Sequence, residues 1–282
     1  MNFTLGFSPC PNDTFIFDAL VNNKIDTGDF TFNVQLEDVE TLNGMAIKGE
    51  LDFTKISYGV LPIVASKYII LNSGSALGKG VGPLLISKQL VEFADVDNYT
   101  IAVPGENTTA HLLFALAFPK AKNKIFQRYD EIEKLVLKSE NVLGVIIHEN
   151  RFTYADKGLR KIVDLGAFWE EKTGLPIPLG GIVGKRNLDE KILKQVDALI
   201  KKSIEYAFSN YPVITGYVKK HSQEMEPGVM KKHIDLYVNE HSVNLGENGR
   251  KAIQKFIKVY RNTREGANSF TFPDDELFLK EK

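Results

Sequence analysis

The sequence predicts an α/β protein of two lobes, with the second lobe inserted into the first and a cleft between them. Three observations carry that expectation. Stretches with period-two and period-3.6 apolar patterning alternate through most of the 282 residues. Residues 174–184 interrupt the alternation with five glycines or prolines in their first eight positions, and read as a crossing between lobes. Beyond them only helical patterns follow, and these pack most economically back on the first lobe. The expected division gives residues 1–97 plus 187–282 to the larger lobe and residues 98–186 to the inserted one.

Taken in order, residues 2–7 alternate apolar and polar as a strand does, and break at Ser8-Pro9-Cys10-Pro11-Asn12-Asp13, where two prolines forbid regular pairing. Asn12 or Asp13 can cap a helix carrying Phe15, Ile16, Ala19 and Leu20. A strand over 30–36, a helix over 39–48 stopped by Gly49, and a short strand over 51–56 come next. Strands over 68–71 and 84–87, joined by a glycine-rich turn, complete the first unit. The second unit starts with a strand over 100–103, the turn Pro104-Gly105-Glu106-Asn107 and a helix over 108–118. Ile125, Tyr129, Ile132, Leu135 and Val136 suit another amphipathic helix, and the apolar run 142–147 suits a strand covered on both faces. Three helical patterns close the chain. They carry Val196, Leu199, Ile200, Ile204 and Phe208; then Val229, His233, Tyr237 and His241; then Ile253, Phe256, Ile257 and Tyr260.

Composition narrows the function classes. Thirty-five Lys and Arg against 36 Asp and Glu leave a net charge of −1, with no basic stripe for sequence-independent nucleic-acid binding. A single cysteine excludes an internal disulfide and any cysteine-based zinc cluster. Apolar runs fall far short of the roughly 20 residues that span a bilayer, so no membrane partner is expected. The first residues look like a strand instead of an export signal, which sets the expectation of a cytoplasmic protein.

Open α/β sheets bind ligands outside the carboxyl ends of their strands. Four loops fall at such ends: 8–13, 54–59, 104–109 and 148–152. Asn107-Thr108-Thr109 starts a helix, whose unpaired N–H groups and dipole suit a carboxylate or phosphate. The same residue types also serve as plain N-caps, and both readings stand on sequence alone. His148 ends a buried strand and can exchange a proton near neutral pH, or merely close the strand through its own hydrogen bonds. His111 sits in the first turns of a helix, and His221 in a charged stretch. His233 and His241 are about 12 Å apart along a helix, too far to share a metal. Cys10 precedes a helix start that could activate a thiol, but a small buried apolar role between two prolines suits it better. Gly74-Ser75-Ala76-Leu77-Gly78-Lys79-Gly80 is one residue short of a P-loop, lacks the Ser or Thr after lysine and leads to a strand; it is not a nucleotide site.

Four stretches together carry a resemblance: Ser8-Pro9-Cys10-Pro11-Asn12-Asp13-Thr14-Phe15, Thr54-Lys55-Ile56-Ser57-Tyr58, Thr108-Thr109-Ala110, and His148-Glu149-Asn150-Arg151-Phe152-Thr153-Tyr154. With Leu179-Gly180-Gly181-Ile182-Val183-Gly184-Lys185-Arg186, they make the chain resemble the 1,4-dihydroxy-6-naphthoate synthases of the futalosine route to menaquinone. The resemblance implies a fold like the type II periplasmic binding proteins. It implies a carbon–carbon lyase that splits cyclic dehypoxanthinyl futalosine into 1,4-dihydroxy-6-naphthoate and dihydroxyacetone, with no metal or organic cofactor. His148 is then the general base. Lys55, Ile56 and Ser57 contact the substrate on one side and Thr109 and Ala110 on the other, with Thr108 and Asn12 added as neighbouring loop residues. The partner expected is a small carboxylated molecule. Two alternatives remain: a chorismate dehydratase of the same route, similar in fold, and a binding protein that closes on a small carboxylate without chemistry. The 8–15 motif and the His148 loop favour the naphthoate synthase.

Overall fold

The computed structural model describes residues 1–222, 226–263, 273 and 276–281. The chain begins with β1 (Asn2–Phe7), α1 (Pro11–Val21), β2 (Thr31–Leu36), α2 (Val39–Lys48), β3 (Phe53–Ser57), α3 (Leu61–Val64), β4 (Tyr68–Ile70) and β5 (Ala76–Gly78). It crosses into β6 (Leu84–Ser87), β7 (Thr100–Val103), α4 (Thr109–Ala117), β8 (Lys124–Phe126), α5 (Ile132–Lys138), β9 (Val142–Ile146), α6 (Asn150–Thr153), β10 (Arg160–Asp164) and α7 (Leu165–Thr173). It then returns through β11 (Ile177–Lys185) to α8 (Glu190–Asn210), α9 (Gly216–His221), α10 (Pro227–Tyr237), α11 (Glu240–Val243) and α12 (Gly246–Thr263).

Two mixed sheets result. The first has the order β2-β1-β3-β11-β4, with β5 also paired to β11; the second has the order β10-β6-β9-β7-β8. The central strands β1 and β3, like β7 and β9, run parallel, so Ser8, Ser57, Pro104 and Ile147 lie at carboxyl ends. Helix ends follow local chemistry. Asp38 accepts from the N–H groups of Glu40 and Thr41 to start α2, and Gly49, at φ 77°, ends it in the left-handed conformation that a side chain disfavours. The C-terminal helices pack on the first sheet: Ser203 of α8 donates to Ile16 O at 2.6 Å and accepts from Leu20 N at 3.1 Å, locking α8 against α1. Residues Leu277 and Leu279 hydrogen-bond to Ile70, extending the first sheet at its β4 edge. Among the described residues no helix is long and apolar enough to cross a membrane.

Several boundaries differ from the expected ones. Strand β6 pairs with β9 and β10 in the second sheet, and β11 pairs antiparallel with β3, β4 and β5 in the first. The crossings therefore fall at 79–83 and 174–176, not at 97/98 and 186/187. The expected crossing segment is mostly a strand because its glycines serve close approach rather than a turn. A Cβ on Gly180 would sit 2.5 Å from Ile56 O, and one on Gly181 would sit 2.3 Å from Tyr58 Oη. The short strand β5 lies inside what sequence presents as a turn. Ile125 lies on β8, Tyr129 on a 3-10 turn, and only Ile132, Leu135 and Val136 of the expected helix lie on α5. His241 belongs to α11, beyond the end of α10 at Tyr237.

Candidate active site

A cavity opens where the strand ends of the two sheets face each other. Asn12, Lys55, Ile56, Ser57, Thr108, Thr109, Ala110 and His148 all line it, although they come from four separate segments at strand ends and helix starts. Sequence reasoning brings those loops together but misses Asp13 as a site residue, and also Leu179, Gly180 and Tyr237, which line the same space. The acid in the 8–13 loop is a usable signal for Asp13. Leu179 and Gly180 are hidden by the misread strand, and Tyr237 carries no local signal because α10 reaches the cavity only through tertiary packing.

On the first-sheet side, Asp13 and Lys55 form an ion pair of 3.0 Å whose side chains are 2% and 7% exposed. Asp13 also accepts from Ser8 N at 3.2 Å, Ser8 Oγ at 2.8 Å and Asn12 Nδ2 at 2.9 Å. Lys55 Nζ donates in addition to Gly74 O at 3.3 Å. Lys55 thus brings little net charge to a ligand, since Asp13 neutralises it inside the wall.

The start of α4 faces this wall. Thr108 caps the helix by accepting from His111 N, while Thr109 N donates to Ser57 Oγ at 2.6 Å and Thr109 Oγ1 donates to Leu179 O at 2.8 Å. Of the first three helical N–H groups, only that of Ala110 has no protein acceptor among the described residues. Ser57 and Thr109 therefore tie the two sheets together across the cavity floor. His111 turns away, its Nδ1 against Glu106 O at 2.8 Å and its Nε2 against Lys124 Nζ at 3.2 Å.

His148 follows β9 with φ at 57°, a left-handed backbone rare for a residue with a side chain. Its half-buried ring meets Tyr129 edge-on at 5.1 Å and lies parallel to His233, 6.1 Å away with 7° between the planes. Neither ring nitrogen hydrogen-bonds to a described residue. Burial pushes its pKa down to about 4; Asp13 and Asp38 act to raise it and Lys55 to lower it. At neutral pH the ring is an open proton acceptor. His233, fully buried, meets Asn12 Oδ1 through Nε2 at 3.0 Å, and its Nδ1 lies 3.7 Å from Glu149 Oε2. Burial, followed by the neighbouring His148, holds His233 well below the usual histidine range. Arg151 fixes the turn after His148 by donating to Gly82 O and to Asp164 Oδ2, the latter at 2.7 Å.

Cys10 is buried, and burial, with Glu149 and Asp13 beside it, pushes its thiol pKa well up, so it is not an activated nucleophile. Cys10, His148 and Glu149 bring potential ligand atoms within 4.8 Å of one another, the donor types that could hold a cation.

The chain has relatives among known proteins. A family model described as menaquinone biosynthesis matches residues 3–262. The chain belongs to this menaquinone-biosynthesis family. Within it, the 1,4-dihydroxy-6-naphthoate synthase of Thermus thermophilus is 43% identical over 253 residues, covering 90% of this chain and 92% of that one. The enzyme of the same name from Streptomyces coelicolor is 41% identical over 279 residues, 97% of each. The crystal structure of an Archaeoglobus fulgidus protein, 32% identical, superposes with a TM-score of 0.87 over 93% of this chain and 97% of that one. An alkanesulfonate-binding protein of Xanthomonas axonopodis pv. citri, 11% identical, superposes at 0.70 over 93% of each chain, which shows the menaquinone-biosynthesis chain to have a periplasmic-binding-protein-like fold.

Proposed function

We propose that the protein is a 1,4-dihydroxy-6-naphthoate synthase, a carbon–carbon lyase that cleaves cyclic dehypoxanthinyl futalosine to 1,4-dihydroxy-6-naphthoate and dihydroxyacetone. The observation that carries the reading is His148: neutral, without a protein hydrogen bond among the described residues, on the wall of the cavity between the strand ends. The names of the Thermus and Streptomyces relatives support it.

In this mechanism the substrate's aryl carboxylate faces the start of α4, where the Ala110 N–H and the helix dipole favour an anion. Lys55, Ile56 and Ser57 contact the opposite side. His148 removes the proton of a hydroxyl on the sugar-derived arm. That C–O bond becomes a carbonyl, the adjacent C–C bond breaks, and dihydroxyacetone leaves. The electron pair passes to the ring system, which becomes aromatic. Aromatisation supplies much of the driving force, and no electrons are exchanged with any other group. The protein orients the arm, holds the base and excludes water.

The test is turnover of purified protein with cyclic dehypoxanthinyl futalosine, followed by absorbance and mass of the naphthoate. His148→Asn is expected to lower kcat by ~10²–10⁴-fold, the range for a lost general base, with KM little changed. Wild-type turnover in that variant would remove His148 from the mechanism. Tight binding without product in the unaltered protein would point to a binding protein instead.

A further inference from the structure

Tyr237 reaches the His148 cavity from α10, far in sequence from the strand-end loops. It is 7% exposed, and its ring is held against His233 with centroids 4.6 Å apart and planes tilted by 50°. The same His233 ring lies parallel to His148, so the base and the phenol share one buried support.

The hydroxyls of two other core tyrosines are paired within the protein, and that of a third, Tyr129, is sealed in without a partner among the described residues. Tyr58 Oη pairs with Ser75 Oγ at 2.8 Å and Tyr68 Oη donates to Leu51 O at 2.6 Å. The Tyr237 hydroxyl has no hydrogen-bond partner among the described residues. Unlike the Tyr129 hydroxyl, it is not sealed inside the protein, so its hydrogen bond can be made to something in the cavity. The cavity the residue lines is where that partner can come from. Burial raises the phenol's pKa; Arg151 opposes this, and Glu149 and Cys10 add to it. The group is therefore a neutral O–H donor at any pH where the protein works.

We propose that the Tyr237 hydroxyl is a catalytic hydrogen-bond donor to the ring carbonyl oxygen of the substrate, the atom on which negative charge develops as the C–C bond breaks. The proposal rests on the reaction given under Proposed function. In that step the electron pair of the broken bond moves to this oxygen as an enolate, while the hydroxyl proton of the arm sits on His148. The Tyr237 donor stabilises the oxyanion without giving up its proton. The proton on His148 then passes to the oxygen, leaving a neutral hydroxyl on the aromatising ring. Nothing is oxidised or reduced.

Tyr237→Phe removes only the hydroxyl and tests the assignment directly. Wild type, His148→Asn and Tyr237→Phe are assayed together with cyclic dehypoxanthinyl futalosine, and each is melted without ligand. Loss of an oxyanion donor is expected to lower kcat by ~10²–10³-fold. KM is expected to stay within about threefold, because the interaction strengthens only as charge develops. The melting temperature is expected to hold or rise, since the hydroxyl has no protein partner to lose. An active wild type, a crippled His148→Asn and a Tyr237→Phe near wild-type kcat would overturn the Tyr237 assignment alone. A clear fall in melting temperature with unchanged kcat would do the same, marking the hydroxyl as structural. A wild type that forms no naphthoate would overturn the reaction and this assignment with it.

Discussion

Lowering the pH from 8 to 5 separates a buried His148 from an ordinary histidine. kcat/KM follows ionisations of the free enzyme, so it reads His148 in the ligand-free cavity. Burial holds this group near 4. At pH 5, roughly nine-tenths of the free protein then keeps the ring unprotonated, against about 3% for a histidine at the ordinary 6.5. The expected kcat/KM is flat from pH 8 to 5 and falls tenfold per unit only below about 4. The assay is initial-rate kinetics in overlapping buffers, with far-UV circular dichroism at each pH to exclude unfolding. Neighbouring charges supply an internal check. Asp13→Asn removes an anion that raises the His148 pKa and should move the acid limb lower; Lys55→Met removes a cation that lowers it and should move the limb higher. A limb near 6.5 in the wild type would refute the reasoning, because it would mean that His148 is solvated in the free protein.

Lys55→Met should also destabilise the protein by about 3–5 kcal/mol in urea titrations, because it strands a buried Asp13 that keeps only Ser8 and Asn12 as donors; the double variant with Asp13→Asn should recover most of that loss. Gly105→Ala should raise KM more than it lowers kcat. Gly105 sits at φ 148°, and a Cβ there would lie 2.5 Å from Glu40 Oε2, the carboxylate that holds Asn107 from across the cleft.

The sequence makes the site more legible than the fold boundaries, and the physical reason is the same in both cases. Strand-end loops advertise themselves through prolines, caps and small polar residues, so Asn12, Ser57, Thr108 and His148 can be placed at carboxyl ends from local pattern alone. Gly180 and Gly181 use the same residue type for the opposite purpose. Their missing side chains let β11 approach Ile56 and Tyr58, and nothing local distinguishes a glycine that turns the chain from one that lets two backbones meet. The Ile125 register fails similarly. Two amphipathic segments, β8 and α5, stand close enough in sequence to mimic one helical period. Asp13 and Tyr237 mark the further limit. One is paired with Lys55 across two elements, α1 and β3, and the other is brought in by α10, and both facts exist only in the tertiary structure.

The fold alone does not account for the setting of His148 in this cavity. A sulfonate-binding protein shares the architecture at 11% identity, and two lobes that close on an anion need only donors such as the N–H groups at the start of α4. What this chain adds runs against stability. His148 occupies a left-handed backbone that costs on the order of 1–3 kcal/mol and keeps its ring free of protein hydrogen bonds. Asp13 and Lys55 are charged and buried together where an apolar pair of similar volume is often no worse. Tyr237 is held in the core while its hydroxyl, open to the cavity, has no protein partner among the described residues. Three unfavourable placements around one cavity are hard to explain as packing, since each has a cheaper apolar substitute at its position. The unpaired His148 ring and Tyr237 hydroxyl make sense together if their partners arrive with a ligand, while the Asp13–Lys55 pair holds the facing side in place.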